Sequence, residues 1–433
     1  MMPLPSSELS ETAAALCLFC ILLIPFAGAG LSLINTGLGR SRSAAHTMLA
    51  SLLVVAVAAV AYFVCGFAWQ GVAGGPQHVL MVGGKPWGWA GAAPFFLWGL
   101  PSGPAGPLPT WLVVLFGMLS AGLAAMIPLG SGSDRWRFSS SCASAALLAG
   151  FTYPLFAHWA WGGGWLAQLG ANYGIGLGFL DPGGSGAIQA LGGLTALSVV
   201  WILGPRRGKY SAQGMPSAIP GHNSIFVLLG CLLALAGWAG LNCAGVILFF
   251  RDGAGNAPLV VINTLLSASG ASMMAAWMTR TRFGKPDASL CANGWVGGLV
   301  ASGAGCAVVS PLKALVIGVI AGALVTLGVE WFELRLRVDD PGGAISVHAL
   351  GGLWGVLAAG IFFQPSNGGQ WLAQLIGVAT LVGFVLPMTY GLNWLLNRFY
   401  PQRVPVEGER QGMDLYELGA GAYPEIEEDF PEH

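Results

Sequence analysis

The chain's groups for proton chemistry at neutral pH are six histidines, His46, His78, His158, His222, His348 and His433. None of them sits in an HExxH run, a paired Cys/His cluster or a Ser-His-Asp arrangement. No glycine loop has the form that cradles phosphate, so the sequence points to no catalytic centre, no metal site and no cofactor. His348 stands apart because of its surroundings. The stretch Asp340-Pro-Gly-Gly-Ala-Ile-Ser-Val-His348-Ala-Leu-Gly-Gly-Leu353 matches Asp181-Pro-Gly-Gly-Ser-Gly-Ala-Ile-Gln189-Ala-Leu-Gly-Gly-Leu194 at nine of fourteen positions. Each copy opens with an Asp that can cap orphan backbone N–H groups and a Pro suited to the first helical position. Asp181 and Asp340 therefore read as helix caps rather than ion ligands. Eight residues on, about 12 Å along a helix, the side chain is polar in both copies. A lone His on an apolar helix is often only a hydrogen-bonded core residue. The mirrored Gln189 is what points to a pathway, since two polar side chains facing each other in hydrocarbon could line a narrow pore. Gln can donate and accept hydrogen bonds but cannot titrate.

The elements that must hold this pair are membrane spans. Of 433 residues, 55% are hydrophobic and 9% charged, against about 25% charged in soluble proteins. The 67 glycines suit close helix packing in lipid. A net charge of −1 says nothing of nucleic acid, and no basic patch suggests such a partner. The eight cysteines lie in or beside apolar segments and read as small core residues. Met1 to Thr12 contains no Lys or Arg, unlike a secretory signal.

A span needs about 20 apolar residues, and eleven segments are predicted: 12–35, 46–68, 110–130, 141–162, 183–204, 223–249, 257–280, 289–308, 311–332, 342–363 and 372–397. The expected fold is an all-α polytopic membrane protein, with a membrane domain over 1–399 and a polar tail over 400–433. The connection from Gln70 to Pro109, rich in Gly, Pro and Trp, is expected to form an outer rim or an oligomer contact. Odd-numbered connections and the tail carry fifteen of the eighteen Lys and Arg residues, which places the N-terminus outside and the tail in the cytoplasm. Gln189 falls in the fifth segment and His348 in the tenth. An offset of five spans reverses direction, so segments one to five and six to ten form an inverted repeat, with an eleventh helix added. Descending about 12 Å from opposite faces of a core about 30 Å thick, Gln189 and His348 meet near the midplane.

Two further polar stretches lie in the spans. His158-Trp159-Ala160-Trp161-Gly-Gly-Gly164 ends the fourth segment on the outer side, where Trp161 is either an interfacial aromatic or an indole face for a cation. Asn242 interrupts the sixth segment and is expected to satisfy freed backbone groups.

Together with Gly37-Leu-Gly-Arg40, Gly237-Trp-Ala-Gly-Leu-Asn242, Asp339-Asp340-Pro341 and Gly412-Met-Asp-Leu-Tyr-Glu-Leu-Gly419, these stretches make the chain resemble the ammonium transporter (Amt/Mep/Rh) family over nearly its whole length. The resemblance implies a pore in each subunit, a homotrimer, and a tail that contacts PII-type signalling proteins. It also implies that Trp161 recruits ammonium by cation–π contact, supported by Asp181, and that His348 is the second of two pore histidines. The first falls at Gln189, so the histidine pair is broken. The two Phe rings that gate such pores fall at Ser120 and Leu241, with Phe116 one turn before Ser120 as a substitute, and a vestibule Ser falls at Gly245. These changes suggest a wider outer pore. The function expected is transport of ammonium nitrogen, the ion losing its proton outside and ammonia passing Gln189 and His348, in a bacterial inner membrane. A non-transporting ammonium sensor, or a channel for another small neutral solute such as carbon dioxide or methylamine, are the alternatives.

Overall fold

Eleven helices occupy the places of the apolar segments. They are α1 (Glu11–Leu38), α2 (Ser41–Gln70), α3 (Pro109–Gly132), α4 (Phe138–Ala160), α5 (Ser185–Leu203), α6 (Ser224–Phe249), α7 (Ala257–Phe283), α8 (Ala288–Ser302), α9 (Pro311–Leu334), α10 (Ile345–Phe362) and α11 (Gln370–Phe399). The structure, a computed structural model, describes residues 9–100, 108–250, 253–363 and 368–423. Ten of these helices are long and apolar enough to cross a membrane. The exception is α8, whose 15 residues reach about 22 Å and stop short of the expected residue 308. Groups at its end are used by the segment that opens α5. Ser185 Oγ donates to Val300 O at 2.7 Å and accepts from Ala304 N at 2.8 Å, and Gly183 N donates to Gly303 O at 3.0 Å. The end of α8 thus positions the start of α5.

The same device recurs upside down. Gly342 N donates to Gly130 O at 3.1 Å, so the end of α3 positions the start of α10. In both copies the second glycine after the Asp-Pro pair is left-handed, Gly184 with φ 78° and Gly343 with φ 65°, a conformation in which any Cβ is strained. Helices α5 and α10 then cross at contact distance, because a Cβ on Gly193 would strike the backbone of Ala349 and one on Gly352 the backbone of Ala190. The inverted repeat thus has a physical seam, two small-residue crossings that are mirror partners. Helices α3 and α5 are the most enclosed, with 83% and 89% of their apolar windows buried against 28% for α2.

One element departs from an all-α fold. Within the Gln70–Pro109 connection, β1 (Gln77–Val82) pairs antiparallel with β2 (Lys85–Gly91). The strands turn through Gly83 and Gly84, both at positive φ, as tight hairpins require. The hairpin rests on the end of α4. Trp165 N donates to Gly88 O at 2.9 Å, Trp159 Nε1 donates to Trp89 O at 2.8 Å, and the Trp87 and Trp165 rings stack at 4.9 Å.

At the opposite face, residues 400–423 are strapped across the helix ends. Asp414 accepts from Ala45 N and His46 N at 3.1 and 2.7 Å, at the beginning of α2. Glu417 accepts from Phe138 N at 2.8 Å, at the beginning of α4. Arg403 donates to Leu203 O at 2.6 Å, at the end of α5. Two acids cap helix N-termini and a cation meets a C-terminus, the arrangement that helix dipoles favour.

Candidate functional site

Gln189 and His348 meet. Both lie in π-helical turns, Ser185–Ala190 and Ile345–Leu350, that open α5 and α10. Such widened turns are rare and frequent at functional sites. His348 Nδ1 is 2.8 Å from Gln189 Oε1, and both residues are buried. With a carbonyl oxygen as partner, Nδ1 donates and Nε2 keeps its lone pair. The Gln189 Nε2 amide has no protein partner. The pair therefore offers one acceptor and one donor to a neutral molecule able to do both. The Trp238 ring of α6 lies 6.5 Å from the imidazole.

Next to Asp181 three rings pack together. Trp161 stacks flat on Phe249 at 4.8 Å with 1° between planes, and Phe116 meets both edge-on at 5.6 and 5.4 Å. Phe116 and Trp161 are buried, and the Trp161 indole N–H donates to Asp181 O at 2.9 Å. Where the sequence suggests a wider outer pore, the structure places these three rings against one another. Phe249 supplies a ring outside the matching motifs, and it lies on the helix face shared by Gly245 and Leu241, four and eight residues back. That spacing was the available signal. Asp181 Oδ2 accepts from Gly186 N and Ala187 N at 2.9 and 2.7 Å. Burial pushes its carboxyl up to about 7 against the pull of those N–H groups.

The model of the Ammonium Transporter Family matches residues 15–423. The ammonium transporter Amt2 of Archaeoglobus fulgidus is 37% identical over 426 residues, covering 94% of this chain and 87% of the relative. The chain belongs to the ammonium transporter family. Another member, the ammonium transporter of Bacillus subtilis, is 28% identical, covering 94% and 96% of the two chains. Among solved structures, one described as a sensor Amt protein superposes with a TM-score of 0.83 at 27% identity, covering 94% of this chain and 98% of its own. Candida albicans Mep2, at 21% identity and a TM-score of 0.78, shares the fold, covering 98% and 93% of the two chains. Ammonium transport is accordingly the function of this multi-pass membrane protein, as its sequence leads one to expect.

The remaining residues singled out by the family resemblance fall as follows. Leu241 is fully buried in α6. Ser120 is fully buried in α3, and its hydroxyl has only that of Tyr153 beside it. Gly245 packs directly on the Pro182 carbonyl, so no side chain fits there unless that backbone moves. Asn242 departs from its expected role. Its amide ties side chains rather than backbone, donating to Thr264 Oγ1 at 2.8 Å and Ser302 Oγ at 3.0 Å.

On the Asp340 face this family member carries a buried charge cluster that sequence reading did not assemble. Asp340 accepts from Ser131 Oγ at 2.6 Å and caps α10 through Ala344 N and Ile345 N at 3.1 and 2.8 Å. Beside it, Arg206 grips Asp339 through Nε and Nη2 at 2.9 and 3.0 Å and reaches Asp134 at 3.0 Å. Arg135, fully enclosed, donates to Gly204 O at 2.7 Å and Asp339 O at 2.9 Å. Burial alone raises the Asp339 carboxyl, but the hydrogen bonds and charges of Arg206 and Arg135 outweigh it and hold it below its ordinary range. The four charges come from three connections far apart in sequence, which is why no local pattern announces them.

Proposed function

We propose that ammonium is recruited on the Asp181 face, gives up its proton there, and crosses as ammonia past Gln189 and His348. The supporting observation is the 2.8 Å bond between these two side chains, contributed by mirrored copies of one motif and buried together. An ammonium ion in an apolar passage would lose its hydration for little in return, whereas neutral ammonia is far less costly to desolvate. The Asp181 face is the outer one on the distribution of Lys and Arg, which fits a bacterial inner membrane with the tail in the cytoplasm. Trp161 acts in recruitment once its ring parts from Phe249, with Asp181 holding its indole N–H. Phe116 and Leu241 line the passage beside Ser120, and Gly245 seats the Asp181 loop.

The chain divides functionally into the membrane part, 1–399, and the tail, 400–433, and assembles as a homotrimer. The exposed Leu415 and Tyr416 of the tail suit a PII-type partner on that face. The reading is tested by solid-supported-membrane currents on purified protein in liposomes after an ammonium jump, with internal pH followed in parallel. A current or pH change abolished by His348→Ala supports it. Equal flux with and without that substitution overturns it.

A further inference from the structure

Behind the rings of Phe116, Trp161 and Phe249, α2, α3 and α4 enclose a group of polar atoms, of which Ser120 alone also borders the proposed passage. Both α2 and α4 widen into π-helical turns here, Tyr62–Gly66 and Leu148–Thr152. Tyr62 and Tyr153 face each other across them with ring centroids 6.1 Å apart. The Tyr62 hydroxyl lies over Gly117 of α3, where a side chain would displace it, and donates to Gln70 Oε1 at 2.8 Å. The Tyr153 hydroxyl stands by Ser120, one turn along α3 from Gly117. At the outer end His158 Nδ1 is 2.8 Å from the Gln70 carbonyl, so Nδ1 donates and Nε2 is a bare acceptor.

Buried side-chain atoms in this region are short of partners: Gln70 Nε2, Thr152 Oγ1 and His158 Nε2 have none in the protein, and the Tyr153 and Ser120 hydroxyls have only each other. A single buried, unsatisfied polar group carries a substantial desolvation penalty, and several together would take up much of the net stability of a domain. Native interiors avoid this by placing small hydrogen-bonding molecules among such groups, each serving two to four of them.

We propose that α2, α3 and α4 form a binding site, beside the pore and behind Phe116 and Trp161, for about two neutral, water-sized molecules that both donate and accept hydrogen bonds. The chemistry of the walls selects that class. Gln70 Nε2 only donates and His158 Nε2 only accepts, while the three hydroxyls do either. A bare cation would meet the Gln70 N–H groups with the wrong sign, and an apolar solute would leave Gln70 Nε2, Thr152 Oγ1 and His158 Nε2 unsatisfied. Water and ammonia both fit. The inference stands on these atoms alone, whatever the route through Gln189 and His348.

The test is a high-resolution cryo-electron-microscopy map of the wild-type protein in lipid nanodiscs, prepared once without ammonium and once with ammonium at alkaline pH. Density within hydrogen-bond reach of Tyr153 Oη, Ser120 Oγ or Gln70 Nε2 in both maps identifies water. Density in the ammonium map alone identifies ammonia. Dry, continuous side-chain packing in both maps overturns the proposal. Thermal unfolding of Thr152→Val, which removes a hydroxyl with no protein partner, reads the same question differently. An occupied site predicts a lower Tm, because a hydrogen bond is lost. A raised Tm, the result of removing an unsatisfied hydroxyl from dry packing, counts against the site.

Discussion

The two motif copies share a scaffold and differ in what surrounds it. Asp181 and Asp340 each cap a π-helical turn, each stands three residues before a left-handed glycine, and each leads to a crossing glycine twelve residues on. Around Asp181 the neighbours are rings, Trp161, Phe116 and Phe249, and the cap is braced by an indole N–H. Around Asp340 they are charges, Asp134, Arg135, Arg206 and Asp339, laced to a tail that spans several helix ends. An inverted duplication therefore brings Gln189 and His348 together, and the non-repeated connections give each end its own character. A stack of rings can part with little electrostatic penalty. A buried ion cluster cannot, because separating it strands charge in a low dielectric.

That contrast can be broken from either end. The largest effect is expected from Arg206→Ala, which leaves Asp134 and Asp339 buried without their shared cation. A cost of about 3–5 kcal/mol follows, read as loss of folded protein or a steep fall in Tm. Next comes His348→Ala, which removes the imidazole and leaves Gln189 Oε1 unpaired. Ammonium-driven flux in liposomes should fall by about 100-fold or more, with Tm altered far less than by Arg206→Ala. Asp181→Ala removes a cap and should cost about 1–2 kcal/mol, a smaller loss than at Arg206 because no buried charge is stranded. If Asp181→Ala unfolds the protein while Arg206→Ala does not, the assignment of a yielding face and a rigid face is reversed.

The smallest effect concerns pH. Asp181 is raised to about 7, so its folded form resists ionisation, and its contribution to stability declines as pH climbs from about 4 towards 7. Asp339 is shifted the other way. Its contribution is complete above about pH 4 and is lost only as pH falls below that. Asp181→Asn, which keeps the acceptor but cannot titrate, should therefore gain in Tm relative to the parent between pH 5 and pH 8. A constant difference across that range would show that the carboxyl does not titrate there.

Much of the molecule was legible along the chain because the signals are local. An apolar run of about 20 residues can only cross the bilayer as a helix, and the Asp-Pro-Gly-Gly starts carry their own capping chemistry. Counting spans between two matching motifs then brought Gln189 opposite His348 without any distance being known. Phe249 was also within reach, since it repeats the four-residue spacing of Leu241 and Gly245. What remained hidden depends on meetings between distant segments. The β1–β2 hairpin looked like irregular Gly, Pro and Trp because its strand character is realised only against the end of α4. Helix α8 is short because Ser185 and Gly183, more than 110 residues away, use the groups at its end. The Arg206 cluster and the strapped tail join connections that no local pattern relates. The polar atoms short of partners among α2, α3 and α4 emerge only once three helices are packed. Local periodicity and caps act within a few turns, so one strand of sequence carries them. Closure of rings, charges and polar pockets depends on which surfaces come to face each other, and that follows from packing the whole chain.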